Sequence, residues 1–381
     1  MRIRSARITG FRNLDDVELV FSPGVNVLLG DNGQGKTNLL EALDYLSLGR
    51  SHRGARNEEL VRLGGDHLHV TVEIERDDGS SLRGEFGLDR GGSRRIKLDG
   101  QPVTRRADLV GQLSTVFFSP DSVDLVRGGP ELRRRFADQG LCGLDGDYLA
   151  ALTAYQRSMR QKSRLLRDVR RGFRTEHEAR RELTAWNEDL AGHATVIGRR
   201  RREWAGELAG PATEAYAHLA GRDTPLTIDH QSRLEALDEV DESAPIMQLE
   251  RDILAEFAYI GPEEIRRGRP LTGPHLDDFG VRLGELDLRV YGSQGETRSA
   301  AVAMILAQSD VVYGRRRVRP VLFLDDIFSE LDRDRARRLQ ERCAHDHQVF
   351  IATARPDDVD GWAPDEMAVW RVENGRLITL S

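Results

Sequence analysis

The sequence predicts an α/β protein in which a phosphate-binding parallel sheet is assembled from the two ends of the chain and a helical insertion separates them. Three observations lead there. Gly30 to Thr37 read GDNGQGKT, a full match to G-x-x-x-x-G-K-[ST], between an apolar run (Gly24 to Leu29) and an apolar periodic stretch (Asn38 to Leu48). Pro320-Val-Leu-Phe-Leu-Asp325-Asp326 reads as a buried strand ending in two carboxylates. Between them, Leu152, Tyr155, Met159, Leu166 and Val169, then Leu183, Trp186, Leu190, Ile197, Trp204 and Leu208, recur at helical steps.

Taken in chain order, alternation and turn residues predict strands at Met1 to Thr9, Val25 to Leu29, His67 to Glu75, Ser81 to Leu88 and Arg94 to Leu98, with turns at Asp77-Asp-Gly79 and Asp99-Gly100. Asn38 to Leu48 is expected as a helix, and Ser114 to Phe118 as a strand. The insertion is expected as an antiparallel helical hairpin, with a helix of about 25 residues spanning about 40 Å. Pro211 should end its second helix. Leu226 to Ser243 carries weak patterning and an acidic stretch, Asp238 to Glu242, and reads as a loop. Ala368 to Val372 and Arg376 to Leu380 flank Asn374-Gly375 as a hairpin. The expected parts are 1–120, the N-terminal half of the nucleotide lobe with an antiparallel β subdomain; 121–265, the helical insertion; and 266–381, the C-terminal half.

Composition narrows the class. The chain has 381 residues, 39% hydrophobic, enough to bury a large core. No apolar run approaches the roughly 18 residues of a membrane span, and a charged N-terminal strand stands where a signal peptide would, so a cytoplasmic location is expected. Two cysteines, Cys142 and Cys343, point to a reducing compartment. Cys343-x-His345-x-His347 lacks a fourth ligand, and a helix-to-strand turn explains it better than a metal. The net charge of −7 gives no general attraction to polyanions, yet charge is segregated: Arg157 to Arg174 holds eight cations against Asp168.

The motifs assign chemistry to residues. Backbone N–H groups of Gly30, Asp31, Asn32, Gly33, Gln34, Gly35, Lys36 and Thr37 form an anion cradle at a helix N-terminus. Lys36 reaches the β- and γ-phosphates of ATP, and the Thr37 hydroxyl and Asp325 hold Mg²⁺. Asp326 is placed to orient or deprotonate the attacking water. It is one methylene shorter than the glutamate common at this position, so slow turnover suited to a switch is expected. Tyr291-Gly-Ser293-Gln294-Gly295-Glu296 resembles the signature motif of ABC-type ATPases, and Phe328-Ser-Glu-Leu-Asp332 resembles their D-loop. In such proteins the signature caps ATP held by another subunit, so a head-to-tail homodimer is expected.

Motif order extends the resemblance beyond the nucleotide site. Gly10-Phe-Arg12-Asn13-Leu14, GDNGQGKTNLLEAL, Ser47-Leu-Gly-Arg50-Ser-His-Arg53, Phe118-Ser-Pro120 with Arg133-Arg-Arg135-Phe136, Thr272-Gly-Pro-His275, YGSQGE and LFLDDIFSELD are similar, nearly end to end, to the RecF family of bacterial recombination-mediator ATPases. That family belongs to the SMC-like branch of ABC proteins. The resemblance implies an ABC-type head that, closed by ATP and Mg²⁺, clamps double-stranded or gapped DNA. It implies RecR as a partner, with RecO and RecA downstream. Arg50, Arg53, Arg56, Arg157, Arg160, Lys162 and Arg164 become candidate phosphate contacts. Departures are Leu276, where a basic residue is commoner, Ser119-Pro-Asp121 without a Q-loop Gln, and Thr353-Ala-Arg355 without a switch His. A transporter ATPase subunit would normally keep both of those residues, and a P-loop kinase has no need of YGSQGE or SELD.

Overall fold

Val25–Leu29 is apolar at four of its five positions and pairs in parallel on both sides, with Val349–Thr353 and with Met367–Glu373. This is how a run without alternation is buried on two faces. The computed structural model describes residues 1–239, 245–344, 347–362 and 367–380; part of the acidic stretch and His345 lie outside them. Among the described residues the sheet runs Arg376–Thr379, Met367–Glu373, Val25–Leu29, Val349–Thr353, Val321–Asp325, Thr115–Phe118, parallel except for the C-terminal hairpin strand. Strands from both ends of the chain alternate in it, so neither half can form it alone.

Its two faces have different partners. Leu28, Phe323, Phe350 and Ala352 pack with helix Lys36–Leu48 onto an antiparallel sheet that includes Arg2–Thr9, His67–Glu75, Ser81–Asp89 and Arg94–Leu98. The expected N-terminal strands are therefore present, with two additions at the sheet's edges: Val17–Val20 pairs with Arg2–Thr9 and Gln101–Pro102 with Arg94–Leu98, and runs of four and two residues are too short to show a period. The other face, Val25, Val27, Val116, Phe118, Leu322 and Leu324, packs against the helical part through Trp204, Phe136 and helix Gln294–Arg316.

The insertion is larger than a simple hairpin. Pro130–Leu144, Gly146–Arg170, Glu176–Ala220 and Ile246–Arg267 are all helical. Pro211 does not end the second arm: Glu176–Ala220 runs 45 residues, about 67 Å, with Pro211 inside it. Burial explains this, because Leu208, Ala212, Ala215, Tyr216 and Leu219 on either side of Pro211 lie in the core, and that packing outweighs one lost hydrogen bond. The stretch expected as a loop contains strand Leu226–Gln231 and helix Glu235–Glu239. The strand buries only Leu226 and Ile228, and its partner Asp278–Leu283 lies far along the chain.

Candidate functional site

The phosphate loop is shaped by close backbone approaches. A Cβ on Gly30 would stand 2.3 Å from the Val372 carbonyl oxygen, and Gly33 and Gly35 take φ of 82° and 119°. Gly35 is the N-cap of Lys36–Leu48, whose first turn holds no acid, so the positive end of the helix is open to an anion. Lys36 Nζ donates to the carbonyl oxygens of Gly30 (2.6 Å) and Asp31 (3.0 Å). Burial lowers the pKa of this ammonium, with Asp326, Asp325 and Asp31 opposing. Thr37 Oγ1 donates to Asp325 Oδ1 at 2.9 Å. Burial raises the Asp325 carboxyl and the Thr37 hydrogen bond opposes it. A hydroxyl against a buried carboxylate, below a helix N-terminus with a lysine folded over it, fits a magnesium-bound triphosphate.

Asp326 takes a left-handed backbone, φ 52°, and its N–H donates to Ala352 O at 2.8 Å. Its carboxyl is raised by burial and lowered by the charges of Lys36 and Arg355. Arg355 thus acts on Asp326 from the loop where ABC transporter ATPases carry a switch His. At the position of their Q-loop Gln, Ser119 and Ser122 form a capping box over a short turn, Pro120–Asp124.

Four contacts were not legible beforehand. Asn13 Nδ2 donates to Gly33 O (3.2 Å), and Arg12 holds Glu41 with two bonds (2.6 and 3.1 Å). The C-terminal turn braces the loop, with Asn374 N donating to Gln34 Oε1 (2.5 Å) and Gly375 N to Gln34 O (2.9 Å). His52 stacks on Phe117 at 3.7 Å, its Nδ1 lies 3.3 Å from Asp44, and it lines a cavity of about 570 Å³ with Thr37 and Asp325. The motif Gly10 to Leu14 was itself a signal for the first two; the others join segments far apart in sequence.

Ser293 caps Gln294–Arg316 by a capping box with Glu296, and Ser293 and Gln294 are exposed. Arg298 pairs with Glu330 (2.9 Å), and Arg335 lies against Gly295 while bonding Asp332 (2.7 Å), so signature turn and D-loop are tied in one protomer.

The candidate DNA contacts divide. Arg53, Arg56, Arg157, Arg160 and Arg164 are exposed, whereas Arg50 is half-buried, and its charge acts on Arg106 and Arg135. Lys162 is not a surface cation. It is fully buried, 2.8 Å from Glu264 and 2.8 Å from Asn187 Oδ1, because it continues the apolar face of Tyr155, Met159 and Leu166. Thr272-Gly-Pro-His275 is also largely internal: Thr272 bonds Glu256 (3.0 Å), the Pro274 carbonyl accepts from Arg201 (2.6 Å), and His275 meets Tyr155 (2.8 Å). Leu276 beside it is partly exposed.

This sheet, phosphate loop and capped signature helix define an ABC-type ATPase head of the SMC-like kind. Residues 2–376 match the family described as the RecF/RecN/SMC N terminal domain. The chain belongs to the RecF family within it: it is 34% identical over 395 residues, 99% of each chain, to the DNA replication and repair protein RecF of Roseiflexus castenholzii. Two solved structures of the recombination mediator protein RecF in the RecFOR pathway, RecF-ATPrS and RecF-ATP, superpose with TM-scores of 0.88 and 0.86 at 27% identity, covering all of this chain and 98% and 97% of theirs.

Proposed function

We propose that this protein is an ATP-dependent DNA-binding switch of recombinational repair and replication. Two copies close head to tail, each triphosphate cradled by Gly30 to Thr37 of one protomer and capped by Ser293 to Glu296 of its partner. The observation that carries this is the exposure of the signature turn. Thr37 and Asp325 meet at 2.9 Å, while exposed Ser293 bonds within its own turn, to Glu296 and Thr297, and among the described residues has no hydrogen bond to the phosphate loop. An exposed hydroxyl at the N-terminus of a 23-residue helix offers an anion site that a second protomer can use.

Lys36 releases the Gly30 and Asp31 carbonyls to reach phosphate, and Thr37 and Asp325 hold Mg²⁺. The bound ion supplies charge neutralisation of the triphosphate. Asp326 is the base for water; its short side chain makes turnover slow, and tens of turnovers per second for the purified protein contradict that assignment. The closed pair clamps duplex or gapped DNA, with Arg53, Arg56, Arg157, Arg160 and Arg164 on phosphates, and works with RecR, upstream of RecO and RecA, in the cytoplasm. Among the described residues no helix is long and apolar enough to cross a membrane.

The deciding experiment is mass in solution with ATP, ADP or neither, with and without gapped duplex. Lys36→Ala should abolish stable nucleotide binding, whereas Ser293→Ala should keep binding in the monomer and weaken dimerisation. Equal loss of binding in both variants defeats the shared site.

A further inference from the structure

The far end of the helical insertion has a small core of its own. Leu165, Leu166, Ala179, Leu183 and Ile265 are buried together, with Val169 and Trp186 packed on them, so three helices meet in a fixed corner. Charge there opposes that of the whole chain. Residues 164–182 and 263–269 hold ten arginines against six carboxylates, in a protein of net charge −7. One of those carboxylates, Glu264, is buried on Lys162, and Glu263 is shared by Arg266 and Arg267. Among the described residues Arg167, Arg170, Arg171 and Arg181 have no carboxylate partner.

At the apex is Phe173, 74% exposed, beside Gly172 with φ 75°. Its N–H donates to Asp168 O at 2.9 Å, which fixes the turn without using the ring. Phe173 is the sole large apolar side chain exposed in these two stretches. A protein-docking hot spot gathers several apolar neighbours around its anchor, and a second copy of the tip would set arginines against arginines. One aromatic ring near exposed guanidinium groups that lack a carboxylate partner, two of them donating to backbone carbonyls, matches a base-stacking platform with phosphate contacts on either side.

We propose that this tip binds an unpaired nucleobase: the Phe173 ring takes the face of a base turned out of a single strand, and Arg167, Arg170 and Arg171 hold the adjoining phosphates. Bases inside a duplex have no free face, so the tip reads the single-stranded arm of a gapped or tailed substrate. This deepens the DNA-clamp reading and rests on it.

The test uses the full chain with ATP and Mg²⁺, a blunt duplex, and the same duplex with a single-stranded tail carrying a fluorescent adenine analogue. Phe173→Ala should weaken tailed-duplex binding about tenfold, abolish the emission change of the analogue, and leave blunt-duplex affinity within about twofold. Phe173→Tyr should restore both readouts. Arg171→Ala should weaken tailed-duplex binding and lower its salt slope by about one, and leave blunt-duplex affinity within about twofold. Equal loss on both probes, or no loss on either, overturns the stacking assignment while leaving the ATP clamp intact. A change of mass in Phe173→Ala assigns the tip to a second copy and also overturns it. A wild-type chain that dimerises with ATP yet binds neither probe ends the DNA reading as well.

Discussion

Arg160 and Lys162 stand two positions apart on one helix and meet opposite environments. Arg160 is exposed, whereas Lys162 is sealed against Glu264 with the Phe257 ring 5.0 Å away. Burial lowers the Lys162 pKa, and Glu264 works against that. Lys162→Ala strands a buried carboxylate and should cost about 3–5 kcal/mol by urea unfolding, while Arg160→Ala should leave stability within about 0.5 kcal/mol. Replacing both members, Lys162→Met with Glu264→Leu, should recover most of the loss. His275 supplies a second residue-level test. Burial, then the charges of Lys162, Arg134 and Arg201, hold its pKa down to about 4 from 6.5, with Asp277 opposing. Between those values the unfolded chain takes up a proton that the folded chain refuses, so this residue makes stability rise with pH from about 4 to about 6.5. The difference in urea midpoint between about pH 5 and about pH 7 should therefore shrink in His275→Gln. At the nucleotide site, Asp326→Asn should trap the ATP dimer and prolong its stay on DNA, read by mass and by dissociation rate; a variant that stays monomeric with ATP removes Asp326 as the base.

At the scale of elements, two features can be tested directly. Pro211 sits inside a 45-residue helix that packing holds, so Pro211→Ala should stabilise the protein, by up to about 3 kcal/mol, in urea unfolding. At Gly375, φ is 81° and a Cβ would meet Asn13 O at 1.9 Å. Gly375→Ala should therefore lift the C-terminal turn off Gln34 and weaken nucleotide binding, measured by titration calorimetry. These elements also mark what the sequence could reveal. Val25–Leu29 and Val321–Asp325 were legible because burial on both faces leaves an apolar run, and the phosphate loop, the Asp325-Asp326 pair and the signature because each is contiguous. Val17–Val20 and Leu286–Asp287 were not, since two to four residues carry no period. His52, Arg355 and Asn374 were missed because their partners are distant in sequence. Lys162 was misread for another reason: charge alone was counted, although its three-residue step from Met159 and four-residue step to Leu166 already placed it on the apolar face.

For the whole molecule, segregated charge and interleaved halves matter most. A chain of net charge −7 that binds DNA must do so through local basic surface, so its affinity should fall steeply as salt rises; a flat salt response removes the phosphate contacts. The interleaving has a consequence for biosynthesis. Val25–Leu29, which leads into the phosphate loop, has both of its neighbours, Val349–Thr353 and Met367–Glu373, near the C-terminus. On the ribosome the GDNGQGKT motif emerges early and then waits, its strand open on both edges, until Val349–Thr353 and Met367–Glu373 have been made. Such edges invite pairing with other chains until those partner strands arrive. A stop codon at Met367 would leave one edge bare and remove the turn that braces Gln34, and its product would be a substrate for proteolysis rather than a weakened ATPase.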